Sequence, residues 1–222
     1  MSNKSVVASS PCFAHELEQS ADGSFHAVDP QQRSDVMRWR RAERKRLIDA
    51  RLAIPASERS GMAAGIAENL NLLFGDVPGK TISFYWPLRG EPDLRKLMAE
   101  VAEAGGQCAL PVVVERNAPL EFHAWAPGEP LEKGFWNIPV PSEPKPVQPD
   151  IVLSPVVGFD PQCFRLGYGG GYFDRTLAAI THEPVVLGVG YSSMAIATIF
   201  PQPHDIPLHK IVTDTGICEL RS

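Results

Sequence analysis

Hydrophobic positions along the chain follow two different periods in successive segments. Residues 81–86 alternate, with Ile82, Phe84 and Trp86 on one side, which is typical of a strand. Other segments have apolar residues three or four positions apart, which predicts one buried helix face. Helices are predicted over residues 39–52, from a cap at Ser57 to residue 73, and over 92–104 and 172–180, and strands over 81–86, 107–114, 120–125, 150–157, 185–191 and 211–218. Because strands alternate with helices, we expect an α/β sandwich with a mostly parallel central sheet.

The predicted elements all lie in one part of the chain. Residues 1–37 show no sustained period and are rich in small and polar residues, so we expect a flexible leader there. Residues 38–222 contain every predicted helix and strand and are expected to form a single domain. Within this domain, residues 126–149 contain seven prolines, which predicts a loop.

Composition and charge exclude several classes of protein. The net charge of −5 argues against a general nucleic-acid binder, which would normally be basic. The four cysteines have no C-x-x-C spacing, which disfavours a zinc site and a disulfide framework and favours a reducing compartment. No apolar run approaches the roughly 20 residues that span a bilayer, or forms a signal-peptide core. We therefore expect a cytoplasmic protein with small-molecule partners and no nucleic-acid or membrane partner, either monomeric or dimeric.

The segment with the richest chemistry is a glycine-rich loop at residues 165–174. It follows an apolar strand, opens a predicted helix and has four glycines within five positions. Such a loop lets backbone N–H groups approach an anion, and the helix N-terminus adds further free N–H groups. Arg165 can donate charge-assisted hydrogen bonds to phosphate oxygens. The loop therefore predicts phosphate binding, although it matches neither the Walker A nor the G-x-G-x-x-G pattern, and a purely structural turn is the alternative.

Several charged residues, in the loop and elsewhere in the chain, have two possible roles each. Asp174 would repel phosphates unless Mg²⁺ bridges them, or it simply favours the first turn of a helix. Asp205 is a second candidate ligand, or a turn residue between two prolines. Arg40 and Arg44 lie four residues apart on one helix face and could hold a polyphosphate, or form a solvated basic face.

Several motifs follow one another in a fixed order between about Arg40 and Gly216. The most specific is Gly-Phe-Asp at 158–160, followed by the run at 165–175, and the others lie at 40–44, 90–91, 136–139 and 204–205. In these motifs and their spacing, the chain resembles the 5-formyltetrahydrofolate cyclo-ligase family. The resemblance implies a three-layer Rossmann-like sandwich. It also implies ATP-dependent conversion of 5-formyltetrahydrofolate to 5,10-methenyltetrahydrofolate, with ADP and phosphate as the other products. The implied mechanism is phosphorylation of the formyl oxygen, ring closure by N10 and expulsion of phosphate.

The resemblance also implies roles for individual residues. The catalytic residues are Arg165 and Asp174, and the metal ligands for Mg²⁺ are Asp174 and Asp205. The ATP contacts are Arg40, Arg41, Arg44, Arg165, Leu166, Gly167, Tyr168, Gly169, Gly170, Gly171, Tyr172 and Phe173. The folate contacts are Trp86, Glu91, Trp136, Tyr168 and Tyr172; for the two tryptophans, the alternatives are a core side chain and a loop anchor.

Four residues depart from the pattern of the family. Arg40 stands where lysine is commoner, Cys163 where glycine is frequent, Phe173 in place of a second tyrosine and Met194 in place of glutamine. These departures leave open a nucleotide-binding homologue whose folate activity is altered or lost. A dinucleotide-dependent oxidoreductase is a further alternative, for which Glu183 would be the ribose-binding acid.

Overall fold

The computed structural model describes residues 18–19, 25–26 and 30–219, which contain four α-helices and fourteen short strands. The helices are α1 Pro30–Ala53, α2 Ala56–Phe74, α3 Arg95–Glu103 and α4 Tyr172–Ala179. The strands are β1 Glu18–Gln19, β2 Phe25–His26, β3 Thr81–Ser83, β4 Gln107–Val112, β5 Glu121–Ala124, β6 Leu131–Lys133, β7 Pro139–Pro141, β8 Pro146–Val147, β9 Ile151–Pro155, β10 Gly158–Phe159, β11 Arg165–Leu166, β12 Val185–Val189, β13 Lys210–Thr213 and β14 Gly216–Glu219.

The central sheet has eight strands in the order β14-β13-β12-β9-β3-β4-β5-β8. Its middle five strands, from β13 to β4, are parallel, and the pairs at the two edges are antiparallel. The chain builds β3 and β4 first and then crosses to the other side of β3 with β9. Ligands of open α/β sheets bind at the carboxyl ends of the strands where this reversal occurs. The topology therefore directs attention to the segments that follow β3 and β9.

Helices cover both faces of this sheet. In β9, Ile151 and Leu153 belong to a core cluster with apolar side chains of α1, α2 and α3, whereas Val152 belongs to a second cluster, against which Phe173 and Leu177 of α4 pack. Each fully buried aliphatic side chain of this kind contributes roughly 1.5–3 kcal/mol. The predicted α/β sandwich with a mostly parallel central sheet is confirmed.

Helix α1 begins at Pro30 rather than at Trp39, where the helical pattern was predicted to start. Its early turns are held by Gln32 and Val36, which are both buried. The same face continues with Arg40 and Arg51, which are buried as well. Since much of this face is polar, the apolar period does not reveal it.

Three further expectations about elements were wrong. Ser57 does not cap α2, because the helix begins at Ala56 and its cap position is Pro55. The proline-rich segment contains the strands β6, β7 and β8, with β8 at the edge of the main sheet, where proline is tolerated. The single strand predicted over 211–218 is a hairpin, because Asp214 and Thr215 form a turn between β13 and β14.

The flexible leader expected over residues 1–37 lies mostly outside the described residues, but the expectation was wrong for residues 30–37, which form the first turns of α1. Of its earlier part the structure describes only β1 and β2, which pair with each other in antiparallel fashion. Among the described residues, no helix combines the length and the apolar character that crossing a membrane requires.

Candidate active site

The glycine-rich loop connects β11 to α4; the helix predicted after it is confirmed, whereas β11, which pairs with β10, was not predicted. Gly169 and Gly171 have φ angles of 94° and 65°, in the left-handed region that favours glycine. A Cβ atom at Gly169 would lie 3.2 Å from Cζ of Arg44, so even a methyl group would press on that guanidinium. The loop backbone thus lies close to Arg44 of α1, just before the N-terminus of α4. Backbone N–H groups and a guanidinium in one place are suited to binding an anion.

Arg44 extends from α1 to the loop. Its Nε donates to the carbonyl oxygen of Gly167 at 2.5 Å, and the side chain is partly buried. Burial lowers the pKa of Arg44, and the positive charges of Arg40 and Arg41 lower it further. Three arginines of one helix therefore produce a concentrated positive potential beside the loop, which would attract a polyanion.

Arg165 and Asp174 form a partly buried ion pair at the start of the loop and of α4. Arg165 Nη2 lies 2.9 Å from Asp174 Oδ1, and Nη1 donates to the carbonyl oxygen of Ile206 at 2.9 Å. The Phe173 ring lies against the guanidinium, with 5.9 Å from Cζ to the ring centroid. Burial lowers the pKa of Arg165, and the charge of Asp174 opposes this effect. The arginine is therefore held in one orientation.

Asp174 and Asp205 lie far apart in sequence but in one site. Arg40 makes two hydrogen bonds to Asp205, at 2.9 and 3.0 Å, and both side chains are buried. The amide of Ile206, the next residue, donates to Asp174 Oδ1 at 3.2 Å. The two predicted carboxylates are therefore neighbours, each paired with one of the predicted arginines.

The two carboxylates differ in their capacity for a further ligand. Both oxygens of Asp205 already accept hydrogen bonds, because Gln202 N donates to Oδ2 at 2.6 Å in addition to Arg40. Oδ2 of Asp174 accepts none from the described residues, and this side chain is 19% exposed. No group of three or more His, Cys, Asp or Glu side chains in the described part of the chain could hold a metal ion alone. This donor set fits an Mg²⁺ ion that takes most of its ligands from phosphates and water.

A cleft of about 620 Å³ opens between α1 and the loop. Its lining combines basic groups with apolar side chains, and Met37 and Leu52 are about half exposed. The volume is within the range of small-molecule sites. The lining residues are Met37, Arg41, Arg44, Lys45, Ile48, Asp49, Leu52, Arg89, Tyr168 and Gly169.

Glu91 lies in the turn that follows β3, next to the reversal in strand order. Its side chain accepts a hydrogen bond from the Leu88 amide at 2.8 Å through Oε2. The other oxygen, Oε1, is buried and has no hydrogen-bond partner among the described residues. Burial raises the pKa of Glu91, and the Leu88 amide, the charge of Arg51 and the Tyr168 hydroxyl oppose this effect. A buried acceptor without a donor is rare in proteins and suggests a ligand that supplies N–H groups.

The two candidate tryptophans occupy different environments. Trp136 is 62% exposed, has a φ angle of 56°, and contacts the ring of Tyr172 edge-on with 5.5 Å between centroids. It is therefore adjacent to the loop. Trp86 is partly buried, packs edge-on against Trp125 and has Arg95 over its ring at 5.5 Å. These contacts fit both a core side chain and a stacking surface.

The departures from the family pattern fall in distinct places. Cys163 has a φ angle of 60°, which explains why glycine suits this position. Met194 is buried in the core cluster. Phe173 packs on Arg165 and keeps an aromatic ring at that position.

Sequence reasoning missed Arg51, which is fully buried between the cleft and the Glu91 turn. The available signal was its position on α1, since Arg51 follows Arg44 by two helical turns on the same face.

Glu183 has no role in a dinucleotide site, because it is exposed and precedes β12, whereas a ribose-binding acid follows a strand.

Comparisons with known proteins find matches over most of the chain. Residues 36–214 match the sequence model of the 5-formyltetrahydrofolate cyclo-ligase family. The 5-formyltetrahydrofolate cyclo-ligase of Mycolicibacterium smegmatis is 29% identical over 187 residues, which cover 80% of this chain and 95% of that protein. The protein of the same name from Escherichia coli K12 is 30% identical over 152 residues, covering 64% of this chain and 82% of the relative.

Two solved structures have the same fold. The 5,10-methenyltetrahydrofolate synthetase of Aquifex aeolicus superposes with a TM-score of 0.71 at 29% identity, covering 82% of this chain and 93% of that chain. The 5,10-methenyltetrahydrofolate synthetase of Mycoplasma pneumoniae has a TM-score of 0.65 at 25% identity, covering 79% and 98% of the two chains. The superposed regions thus include nearly all of each solved chain.

Proposed function

The chain belongs to the 5-formyltetrahydrofolate cyclo-ligase family, and we propose that it converts 5-formyltetrahydrofolate to 5,10-methenyltetrahydrofolate at the expense of ATP. One observation carries the proposal. Arg44, which contacts the glycine loop, lines one cleft together with Arg89 of the Glu91 turn, and in that turn Glu91 has a buried carboxylate oxygen with no hydrogen-bond partner among the described residues. An anion site and a site for an N–H-rich ring are therefore neighbours.

The proposed reaction requires a good leaving group on the formyl carbon. Oxygen leaves a formamide poorly, whereas phosphate leaves readily, so the γ-phosphate of ATP is transferred to the formyl oxygen before N10 closes the ring. Phosphoryl transfer needs mainly alignment and charge neutralisation. Arg40, Arg44 and Arg165 supply fixed positive charge, and the loop from Gly167 to Phe173 supplies backbone donors. No protein nucleophile is needed.

The proposed metal is Mg²⁺, with Asp174 and Asp205 as its carboxylate neighbours. When bound, the ion would neutralise part of the charge on the phosphates. Asp174 has an oxygen free for a metal, whereas Asp205 first holds Arg40 in place. We propose that Asp174 is the principal protein ligand.

The folate is proposed to bind at the turn after β3. Oε1 of Glu91 can accept hydrogen bonds from the amino and ring N–H groups of the pterin, and Trp136, Tyr168 and Tyr172 offer aromatic surface at the loop. Trp86 follows the same strand and is a further candidate for stacking. The proposed partners are thus small molecules, and the proposed location is the cytoplasm.

The direct test is to mix the purified protein with ATP, Mg²⁺ and 5-formyltetrahydrofolate and to follow the ultraviolet absorbance of the methenyl product. We expect an absorbance increase that requires all three components. Folded protein that binds ATP but gives no product would instead support a homologue with altered or lost folate activity. In that case, the departures at Phe173 and Met194 would be the first positions to revert.

Glu91→Gln is expected to weaken folate binding while the protein stays folded. The substitution removes the negative charge but keeps an acceptor for the Leu88 amide. Losing one charge-assisted hydrogen bond, worth roughly 1.5–3 kcal/mol, should raise the folate KM by about 10- to 100-fold and leave the ATP KM unchanged. Steady-state kinetics with each substrate varied in turn measures both values.

The same variant should be more heat-stable than the wild type at neutral pH. Burial raises the pKa of Glu91 above its ordinary value of 4.5, so the native state binds this proton more tightly than the unfolded state. The contribution of this group to stability therefore decreases as pH rises through the native pKa. We expect a gain in Tm of about 2–4 °C per kcal/mol for a chain of this size. The gain should be largest at pH 7 and should vanish below pH 4.5, the ordinary pKa of this group.

The kinetic result decides the role of Glu91 in binding. An unchanged folate KM in Glu91→Gln would mean that Glu91 is not part of the folate site.

A further inference from the structure

Arg51 is an arginine in the interior that no part of the proposed reaction uses. It is 1% exposed, and no acidic side chain among the described residues forms a salt bridge with it. Its three nitrogens bind oxygen atoms from three other segments of the chain. Burying a cation without a carboxylate partner is costly, and an apolar side chain would fill the same space more cheaply. A role beyond packing is therefore expected.

The contacts of Arg51 join the two halves of the proposed site. Nη2 donates to the Tyr168 hydroxyl in the glycine loop at 2.6 Å, and Nε donates to the Arg89 carbonyl in the turn of Glu91 at 3.0 Å. Nη1 reaches the carbonyl of Val156, directly after β9, at 3.5 Å. One rigid planar group thus connects the loop, the turn and the central sheet.

The Tyr168 hydroxyl extends this connection to Glu91. It donates to the Leu88 carbonyl at 3.5 Å, and the same carbonyl accepts the Glu91 amide at 2.9 Å. The Leu88 amide in turn donates to the Glu91 carboxylate. A shift of Tyr168 when the loop closes on a ligand would therefore be transmitted to the segment that positions Glu91.

The turn itself depends on such support. Arg89 and Gly90 have φ angles of 47° and 77°, and the left-handed conformation is unfavourable for an arginine. The hydrogen bond from Arg51 fixes the carbonyl of Arg89 in this conformation. Without that bond, we expect the turn to relax and Glu91 to lose its orientation.

We propose that Arg51 is a positioning residue that couples nucleotide binding at the glycine loop to folate binding at Glu91. The inference rests on the proposed function. Ordering of the loop by the nucleotide fixes Tyr168, Tyr168 and Arg51 fix the turn, and the folate site becomes preorganised. Because such coupling is reciprocal, bound folate strengthens nucleotide binding by the same factor.

The test is calorimetric titration of the protein with 5-formyltetrahydrofolate, with and without a non-hydrolysable ATP analogue and Mg²⁺. For the wild type, we expect the analogue to lower the folate Kd by at least about fivefold. The ratio of the folate Kd without the analogue to the Kd with it should approach one in Tyr168→Phe, which removes only the hydroxyl, and in Arg51→Lys. Arg51→Lys should still bind the analogue alone. The double variant should lose no more coupling than either single variant, since both changes break the same connection.

Arg38→Lys is the matched control, because it makes the same change on the same helix at a side chain that is 71% exposed. It should keep the wild-type ratio. The coupling is overturned if the analogue leaves the folate Kd of the wild type unchanged, or if it lowers the folate Kd of Tyr168→Phe as much as that of the wild type. If Arg51→Lys does not fold, Tyr168→Phe alone decides the question. Absence of folate binding to the wild type would overturn the proposed function as well, whereas unchanged coupling in the variants would overturn only this inference.

Discussion

Arg165→Lys is expected to lower kcat by about 100- to 1,000-fold while the protein stays folded. Loss of one preorganised charged donor at a reacting centre typically costs this much. Lysine keeps the positive charge but cannot bind the carbonyl of Ile206 and the carboxylate of Asp174 through two separate nitrogens of one plane. The charge that we propose faces the transferred phosphoryl group would therefore be misplaced. Single-turnover kinetics with saturating ATP and 5-formyltetrahydrofolate measures the effect.

Lysine is preferred to alanine because the side chain of Arg165 is only 4% exposed. Removing one partner of a buried ion pair costs about 3–5 kcal/mol, so Arg165→Ala would combine a defect in catalysis with one in folding. Arg46→Lys is a suitable control, since Arg46 is paired with Glu43 on α1 and has no contact with the loop. Normal turnover by Arg165→Lys would show that the loop does not serve phosphoryl transfer.

The parts of the site that the sequence predicted share a local origin. The glycine loop, the start of α4 and Arg165 lie in one continuous segment, so their proximity follows from chain connectivity alone. Glycine spacing is a strong signal because only glycine easily adopts the φ angles of Gly169 and Gly171. Likewise, β9 and β12 were predicted because strands buried on both faces are almost continuously apolar.

The parts that the sequence did not predict depend on tertiary contacts. No sequence spacing places Asp205 next to Asp174, since the hydrogen bond from Ile206 forms only when the chain returns after β12. Arg51 was missed for a related reason. Its burial is made possible by carbonyl groups of distant segments, whereas an arginine on a basic helix would usually be solvated. The metal and substrate assignments came from the family resemblance and stay predictions.

Asp174→Asn is expected to reduce kcat/KM for ATP by about 100-fold or more and to raise the Mg²⁺ concentration for half-maximal rate. The asparagine oxygen can still accept the bonds from Arg165 and from the Ile206 amide, so the loop and α4 should keep their conformation. What is lost is the charge and the second carboxylate oxygen, which accepts no hydrogen bond from the described residues and which a hard cation requires. Electron paramagnetic resonance of Mn²⁺ in the presence of ATP would measure metal binding independently of turnover.

Asp205→Asn is the informative comparison, because it changes the neighbouring carboxylate in the same way. Its two oxygens hold Arg40, so we expect the ATP KM to rise through a loosened arginine, with a smaller change in Mn²⁺ affinity. Equal loss of Mn²⁺ binding in both variants would make both aspartates direct ligands, as the family resemblance implies. If instead Asp174→Asn binds Mn²⁺ and turns over like the wild type, the magnesium site must lie elsewhere, and Asp174 serves only to orient Arg165.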